Sequence, residues 1–207
     1  GGSDPNFNPR LRLAIEKAKA GNMPKDILER AIKKGSGELE GVDFTEMRYE
    51  GYGPAGTAFI VEAVTDNKNR TASEMRMTFS RKDGNLGADG AVSWMFKKKG
   101  IITVKSEGID MDEFMMAALE AGAEDVEEND GVFEVTTEYT EFQTVLENLK
   151  NAGYQYEDAE ITMIPENTVE ITDLETAKKV MALYDALEDL DDSQNVYSNF
   201  DISDEIL

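Results

Sequence analysis

The chain has 207 residues, with 43 Asp and Glu against 21 Lys and Arg, a formal net charge of −22, and neither Cys nor His. Without thiols or imidazoles it forms no disulfide, zinc–thiolate site, cysteine nucleophile or histidine general base, which excludes the commonest hydrolytic and transition-metal chemistries within this sequence. A composition of 40% hydrophobic and 31% charged residues predicts a folded chain. No apolar run approaches the ~18–20 residues that span a bilayer, and no signal-peptide pattern opens the chain, so a cytoplasmic protein without a membrane partner is expected.

Residues 8–34 predict two short helices. Asn8-Pro9 suits a helix start, and Leu11, Ile15 and Ala18 recur on one face opposite Arg12, Glu16 and Lys19. Gly21-Asn22 interrupts the pattern before Pro24 opens a second helix with Leu28 and Ile32 at i, i+4. Lys33 and Lys34 fall in its last turn, with Gly35 expected just beyond it. Two helices of this size bury little by themselves and need another surface to pack on.

From Phe44 the period changes to that of strands. Phe44–Tyr49 and Thr57–Val64 are expected strands flanking the turn-forming Gly51–Gly56 stretch. Thr71 with Glu74 fits a capping box, and Met75 and Phe79 give the following helix its apolar face. A Gly/Asp-rich loop over Asp83–Gly90 leads to an expected strand at Ala91–Phe96, in which Trp94 and Phe96 read as core.

Residues 101–164 predict β-α-β-β-α-β, the ferredoxin-like split arrangement. The strands are Ile101–Val104, Glu124–Glu128, Val132–Thr137 and Ala159–Ile164. The helices are marked by Phe114, Ala118 and Leu119 and by Phe142, Val145, Leu146 and Leu149. After Pro165 come a strand at Val169–Thr172, a helix opened by Thr172 and Glu175, and a final strand at Val196–Ile202. The fold class is therefore α+β: a helical N-terminal stub and two ferredoxin-like α/β domains, one inserted into the other. Residues 1–38 are expected as the helical remainder, 39–98 plus 167–207 as a discontinuous domain, and 99–166 as the insert.

Three motifs invite sharper readings. Gly51–Gly56 lacks the Gly-Lys-Ser/Thr ending of a phosphate loop and joins strand to strand, so a hairpin turn is preferred. Asp83-Gly84-Asn85 with Asp89 fails the calcium-loop spacing at Gly87, Ala88 and Trp94. Trp94-Met95-Phe96 followed by Lys97-Lys98-Lys99 sets aromatics beside cations, the combination that holds single-stranded nucleic acid. The C-terminal acids Asp185, Glu188, Asp189, Asp191 and Asp192 read as a solvated helix end. No nucleophile–base pair, metal cluster or cofactor site emerges.

Charge is segregated by position: residues 1–105 carry +4 and residues 106–207 carry −26. One end can meet a polyanion while the other repels it. The candidate phosphate contacts are Arg10, Arg12, Lys19, Lys25, Lys33, Lys34, Arg70, Arg81, Lys82, Lys97, Lys98 and Lys99.

Two long motifs carry a family resemblance. Asn8–Lys19, Asn22–Asp26 and Arg30–Gly35 resemble the YebC/PmpR family, as do Tyr49–Gly56 and Thr65–Thr71. The resemblance runs from about Asp4 to the C-terminus. It implies a helical domain followed by two ferredoxin-like domains, DNA binding and transcriptional regulation in the cytoplasm, and no enzymatic activity. The alternative it carries is a ribosome-associated translation factor on ribosomal RNA. An acidic protein-interaction module without a nucleic-acid role is the reading from a different class. The resemblance also implies a further Lys/Arg-rich segment ahead of Gly1-Gly2-Ser3, so a truncated or processed chain is expected.

Overall fold

A computed structural model describes residues 2–37, 43–203 and 206. The expected boundary between residues 38 and 39 lies outside the described residues.

The helical stub comprises α1 (Pro9–Ala20) and α2 (Lys25–Gly35). Asn8 caps α1 by accepting the Leu11 N–H at 3.1 Å, with Pro9 at the first helical position. Gly35 remains helical and Ser36 caps α2; the left-handed backbone falls at Gly37. Neither helix fully buries a residue. Leu13 of α1 packs against the core cluster that holds Ile102, Phe114, Phe133 and Val145.

Strands β1 (Thr45–Tyr52) and β2 (Ala58–Thr65) form an antiparallel hairpin. A single 3-10 turn at Pro54–Gly56 joins them, so the glycine-rich stretch is indeed a turn. Gly53 serves packing, since a Cβ there would stand 2.5 Å from the Phe59 ring and 2.9 Å from Leu183, whereas Gly56 supplies the left-handed backbone of the turn at φ 73°. Helix α3 (Lys68–Arg81) follows, then a two-residue strand β3 (Asn85–Leu86) on the edge of β1, inside what the sequence predicts as loop. The cap of α3 is Asn67, whose side chain accepts the Arg70 N–H at 3.1 Å. Thr71 sits one turn inside, where its hydroxyl meets Asn67 O and Asp192 instead.

The expected strand at Ala91–Phe96 is a second 3-10 turn, Ser93–Met95. Strand β4 begins only at Phe96 and runs to Lys105. The period-two alternation therefore fails here: Phe96 is buried, as expected, but Trp94 is 69% exposed. After β4 come α4 (Met111–Ala121), β5 (Asp125–Asn129), β6 (Val132–Glu138), α5 (Phe142–Asn151) and β7 (Tyr156–Pro165). The chain ends in β8 (Val169–Ile171), α6 (Leu174–Glu188), β9 (Ser193–Ser198) and β10 (Phe200–Ile202). The cap of α6 is Asp173, one residue beyond the predicted Thr172. The expected last strand is broken at Asn199, whose side chain accepts the Ala58 N–H at 2.7 Å; its two halves join different sheets.

Two four-stranded antiparallel sheets result, in the orders β5-β6-β4-β7 and β3-β1-β2-β9. The first is built from one contiguous β-α-β-β-α-β segment. The second reaches the same spatial order from strands on both sides of that segment, with β1 entering from the N-terminal side. Strand β8 stays out of it and pairs in parallel with β10.

Each sheet covers one face with two helices, as its strand alternation requires. Phe114, Ala118, Val145 and Leu149 of α4 and α5 pack on Ile102, Val104, Phe133 and Val135, with Phe114 and Phe133 stacked at 4.5 Å. Met75 and Phe79 of α3 and Val180, Leu183 and Leu187 of α6 pack on Phe59, Val61 and Ala63. Fully burying one such side chain contributes about 1.5–3 kcal/mol. Strand β2 is buried on both faces, because Ala58 and Ile60 meet Val92 and Phe96 in a third cluster with Met163 of β7. That cluster joins the two sheets and fixes the start of β4.

Candidate nucleic-acid interface

The cations singled out by sequence divide into two groups. Five are held by carboxylates. Arg10 meets Glu46 at 3.3 Å, Lys25 meets Glu29 at 3.7 Å and Lys97 meets Glu166 at 2.7 Å. Arg70 meets Asp66 and Asp192, each at 2.9 Å. Lys99 meets Glu124 at 2.7 Å and Glu138 at 2.5 Å, and its side chain is only 16% exposed. The other seven, Arg12, Lys19, Lys33, Lys34, Arg81, Lys82 and Lys98, have no carboxylate within 4 Å among the described residues. Arg30, Arg48, Lys68 and Arg76 are exposed and share that property, although none of them is among the candidate phosphate contacts. Arg76 could have been found, since it lies off the α3 face that buries Thr71, Met75 and Phe79, whereas Lys68 falls on that face by spacing and is exposed because it opens the helix.

Arg70 and Lys99 differ in kind from the seven. Hydrogen bonds to Asp192 and then Asp66 raise the Arg70 pKa above its ordinary value, and those to Glu124 and Glu138 raise that of Lys99. Asp192 also accepts the hydroxyls of Thr71 at 2.6 Å and Thr65 at 3.1 Å. Burial pushes its carboxyl up, but Thr71, Arg70 and Thr65 together hold it below the usual range. Asp192 is thus a clasp between α3, β2 and the α6–β9 connection, and not part of a solvated acidic run. Asp173, counted with no role in the sequence, caps α6.

Two basic residues from distant parts of the chain meet at one place. A cleft of about 950 Å³ opens between α1, strands β1 and β2, and strands β4 and β7, with Arg10 and Lys98 both on its walls. Lys17 and Arg48 join them, but Glu46, Glu62, Asp89 and Glu160 face the same space. The cleft alternates in sign and does not make a purely cationic groove. Lys98 lies 5.4 Å from the Tyr139 ring centre, a cation–π contact that leaves its charge facing outward. A smaller cavity of about 560 Å³ brings Lys34 beside Arg70, Asp66 and Asp192.

The stub is attached largely by charge. Glu16 accepts the Tyr156 hydroxyl at 2.6 Å and meets Lys150 at 3.8 Å, and Lys17 meets Asp158 at 2.9 Å. Burial and the Glu16 hydrogen bond push the Tyr156 phenol up to about 12. At the far end, Lys34 lies 5.5 Å from the Phe44 ring centre. These contacts place α1 and α2 as a bridge from the β4–β7 unit to the β1–β2 hairpin.

The most deeply buried charge belongs to a residue the sequence reading passed over. Glu50 of β1 is 1% exposed, and its carboxylate accepts the backbone N–H groups of Gly90, Val92 and Ser93. Burial alone would raise its pKa. The N–H of Gly90, the Ser93 side chain and the N–H groups of Ser93 and Val92 outweigh that and hold it below the ordinary value. Glu50 is thereby the pin of the 83–95 loop. Nothing in a lone Glu before Gly51 signals this, because its partners lie some forty residues further on.

Among the described residues there is no cluster of three or more Asp or Glu arranged to hold a metal, and no helix is long and apolar enough to cross a membrane. Two antiparallel sheets of one strand order, each backed by two helices and joined to a cation-rich helical pair, define an α+β protein of ferredoxin-like type. The chain belongs to the TACO1/YebC family. The family model for the TACO1/YebC protein N-terminal domain matches residues 1–38, and that for the TACO1/YebC second and third domain matches residues 44–200. It is 95% identical to a probable transcriptional regulatory protein of Fusobacterium nucleatum subsp. nucleatum, over 100% of this chain and 83% of the relative. A probable transcriptional regulatory protein of Geobacter sulfurreducens is 56% identical over 99% of this chain and 82% of its own length. The crystal structure of a conserved hypothetical protein from Aquifex aeolicus matches with a TM-score of 0.88 at 52% identity, covering 100% of this chain and 85% of the other.

Proposed function

We propose that this chain is a non-enzymatic, cytoplasmic, nucleic-acid-binding regulator, acting on DNA to control transcription. The observation that carries the reading is the set of seven candidate cations without a carboxylate partner among the described residues. All lie within residues 12–98, in a chain whose second half is strongly acidic. Unpaired lysines and arginines are the ones free to displace counterions from phosphates. The names of the relatives from Fusobacterium nucleatum and Geobacter sulfurreducens support the regulatory part.

On this reading residues 1–38 act as the cationic arm. Residues 39–98 with 167–207, and the inserted 99–166, form the body, whose acidic part beyond residue 105 limits nonspecific spreading. Arg12, Lys19, Lys33, Lys34, Arg81, Lys82 and Lys98 carry the phosphate contacts. Arg10, Lys25 and Lys97 add to them after exchanging an exposed carboxylate for phosphate, a change of small cost because exposed ion pairs contribute about 0–1 kcal/mol. Arg70 and Lys99 hold the body together.

Crosslinking in cells, mapped to chromosomal DNA or to ribosomal RNA, tests the proposal. Enrichment at discrete DNA sites is expected; crosslinks confined to ribosomal RNA would replace transcription with ribosome association, and none to either would defeat it.

A further inference from the structure

We propose that Trp94 is a stacking platform for an unpaired nucleobase, so that the protein engages single-stranded or locally opened nucleic acid through this side chain. The inference rests on the nucleic-acid reading above and adds to it a contact that reads bases in place of phosphates. Trp94 is the only tryptophan in the sequence, and it is 69% exposed between two buried neighbours, Val92 and Phe96. A single exposed aromatic is ordinary on a protein surface, but this one is held in place and cannot retreat.

Its turn is immobilised from several sides. Glu50 holds the N–H groups of Val92 and Ser93 from beneath. The Glu166 N–H bonds to Met95 O at 2.8 Å, and Val92 and Phe96 are set in the cluster that joins the two sheets. The indole N–H donates to Ala91 O at 3.1 Å, and that carbonyl also accepts the Tyr52 hydroxyl at 3.2 Å. The one polar group of the side chain is therefore used internally, fixing the ring. What remains outward is a flat apolar surface with no hydrogen-bonding demand.

Such a surface suits any base, because every base has a π-face, and it suits a protein hot spot as well. Charge favours the base. Lys97 and Lys98 follow directly at the start of β4, with Lys98 free of carboxylates within 4 Å among the described residues and Lys97 62% exposed beside Glu166. Lys97 and Lys98 are consecutive in β4 and point to its opposite faces, so a polynucleotide strand leaving the indole along either face has a cation for its phosphates. A duplex offers no base face there, so the contact discriminates strand state and not sequence.

The single tryptophan is its own reporter. Titrating the intact protein with short single-stranded oligoadenylate, duplex DNA of the same length and inorganic polyphosphate, while following tryptophan emission, is the test. Oligoadenylate should quench the emission, and polyphosphate, which has charge but no bases, should not. Followed by the anisotropy of an end-labelled oligonucleotide, because the variants have no tryptophan to emit, W94A should weaken single-strand binding by roughly 5- to 150-fold and leave duplex binding within about twofold, while W94F should recover most of the loss. Unchanged far-ultraviolet circular dichroism of W94A and W94F keeps the comparison free of unfolding. If both variants bind single strands as the native protein does, the indole belongs to a protein contact and the inference is overturned, although the phosphate reading stands. If the native protein binds neither strand form at any salt, both readings fall.

Discussion

Replacing Glu50 should release the loop that carries Trp94, at a cost that the geometry allows to be worked out. Three N–H donors converge on one carboxylate that is 1% exposed. A hydrogen bond to a charged group contributes about 1.5–3 kcal/mol net. Gly90 and Ser93 lie near the surface and regain water when the acceptor is lost, whereas Val92 is fully buried and does not. One full loss and two partial ones place E50A at about 3–4 kcal/mol. E50Q keeps one accepting oxygen but turns an amide toward N–H donors, for about 2 kcal/mol. Urea unfolding followed by Trp94 fluorescence and circular dichroism measures both. The pH dependence carries a sign. The folded carboxyl titrates below its unfolded value of about 4.3, so its contribution is complete above that value and is lost as pH falls through the lower folded one. The stability gap between native protein and E50Q should be flat above about pH 5 and shrink below it. An E50A loss under about 0.5 kcal/mol, or a gap that does not narrow in acid, would refute the assignment of Glu50 as the pin.

Three further outcomes follow from the contacts. D192A strips the acceptor from Thr71, Thr65 and Arg70 and should cost about 2–3 kcal/mol by thermal or chemical unfolding. G100A would drive a Cβ into the Phe142 ring and the Thr137 hydroxyl and should cost about 1–3 kcal/mol, read as a lowered melting temperature. K98A and K99A are neighbours with opposite consequences: K98A should lower the salt dependence of nucleic-acid binding by about one contact at unchanged stability, while K99A should lower stability and leave that slope alone.

Sequence periodicity revealed the β-α-β-β-α-β segment because alternation and helical spacing are local signals. Phe114, Ala118, Val145 and Leu149, all read as core, are buried. Helix caps were misplaced by short distances at Thr71 and Thr172 for a common reason. Asn67 and Asp173 are stronger or better-placed side-chain acceptors, and the Thr71 hydroxyl is claimed by Asp192 from across the fold. Trp94 departs from the expected core because a period-two pattern over six residues cannot distinguish a strand from a 3-10 turn; the buried Glu50 that selects the turn comes from another strand. The candidate interface was legible as a list of charges but not as a set of free ones. Whether Lys98 or Lys99 is available depends on Glu124 and Glu138, which the sheet register delivers.

The central claim is that cations without carboxylate partners hold phosphates, and salt titration tests it most directly. The affinity of the intact protein for duplex DNA should fall steeply, with the slope of log K against log salt near −0.9 for each phosphate contact. Neutralising Lys33, Lys34, Arg81 and Lys82 together should flatten that slope by about three to four contacts, while neutralising Arg70 should not change it. An affinity independent of salt, or a slope unmoved by the fourfold variant, would contradict the account.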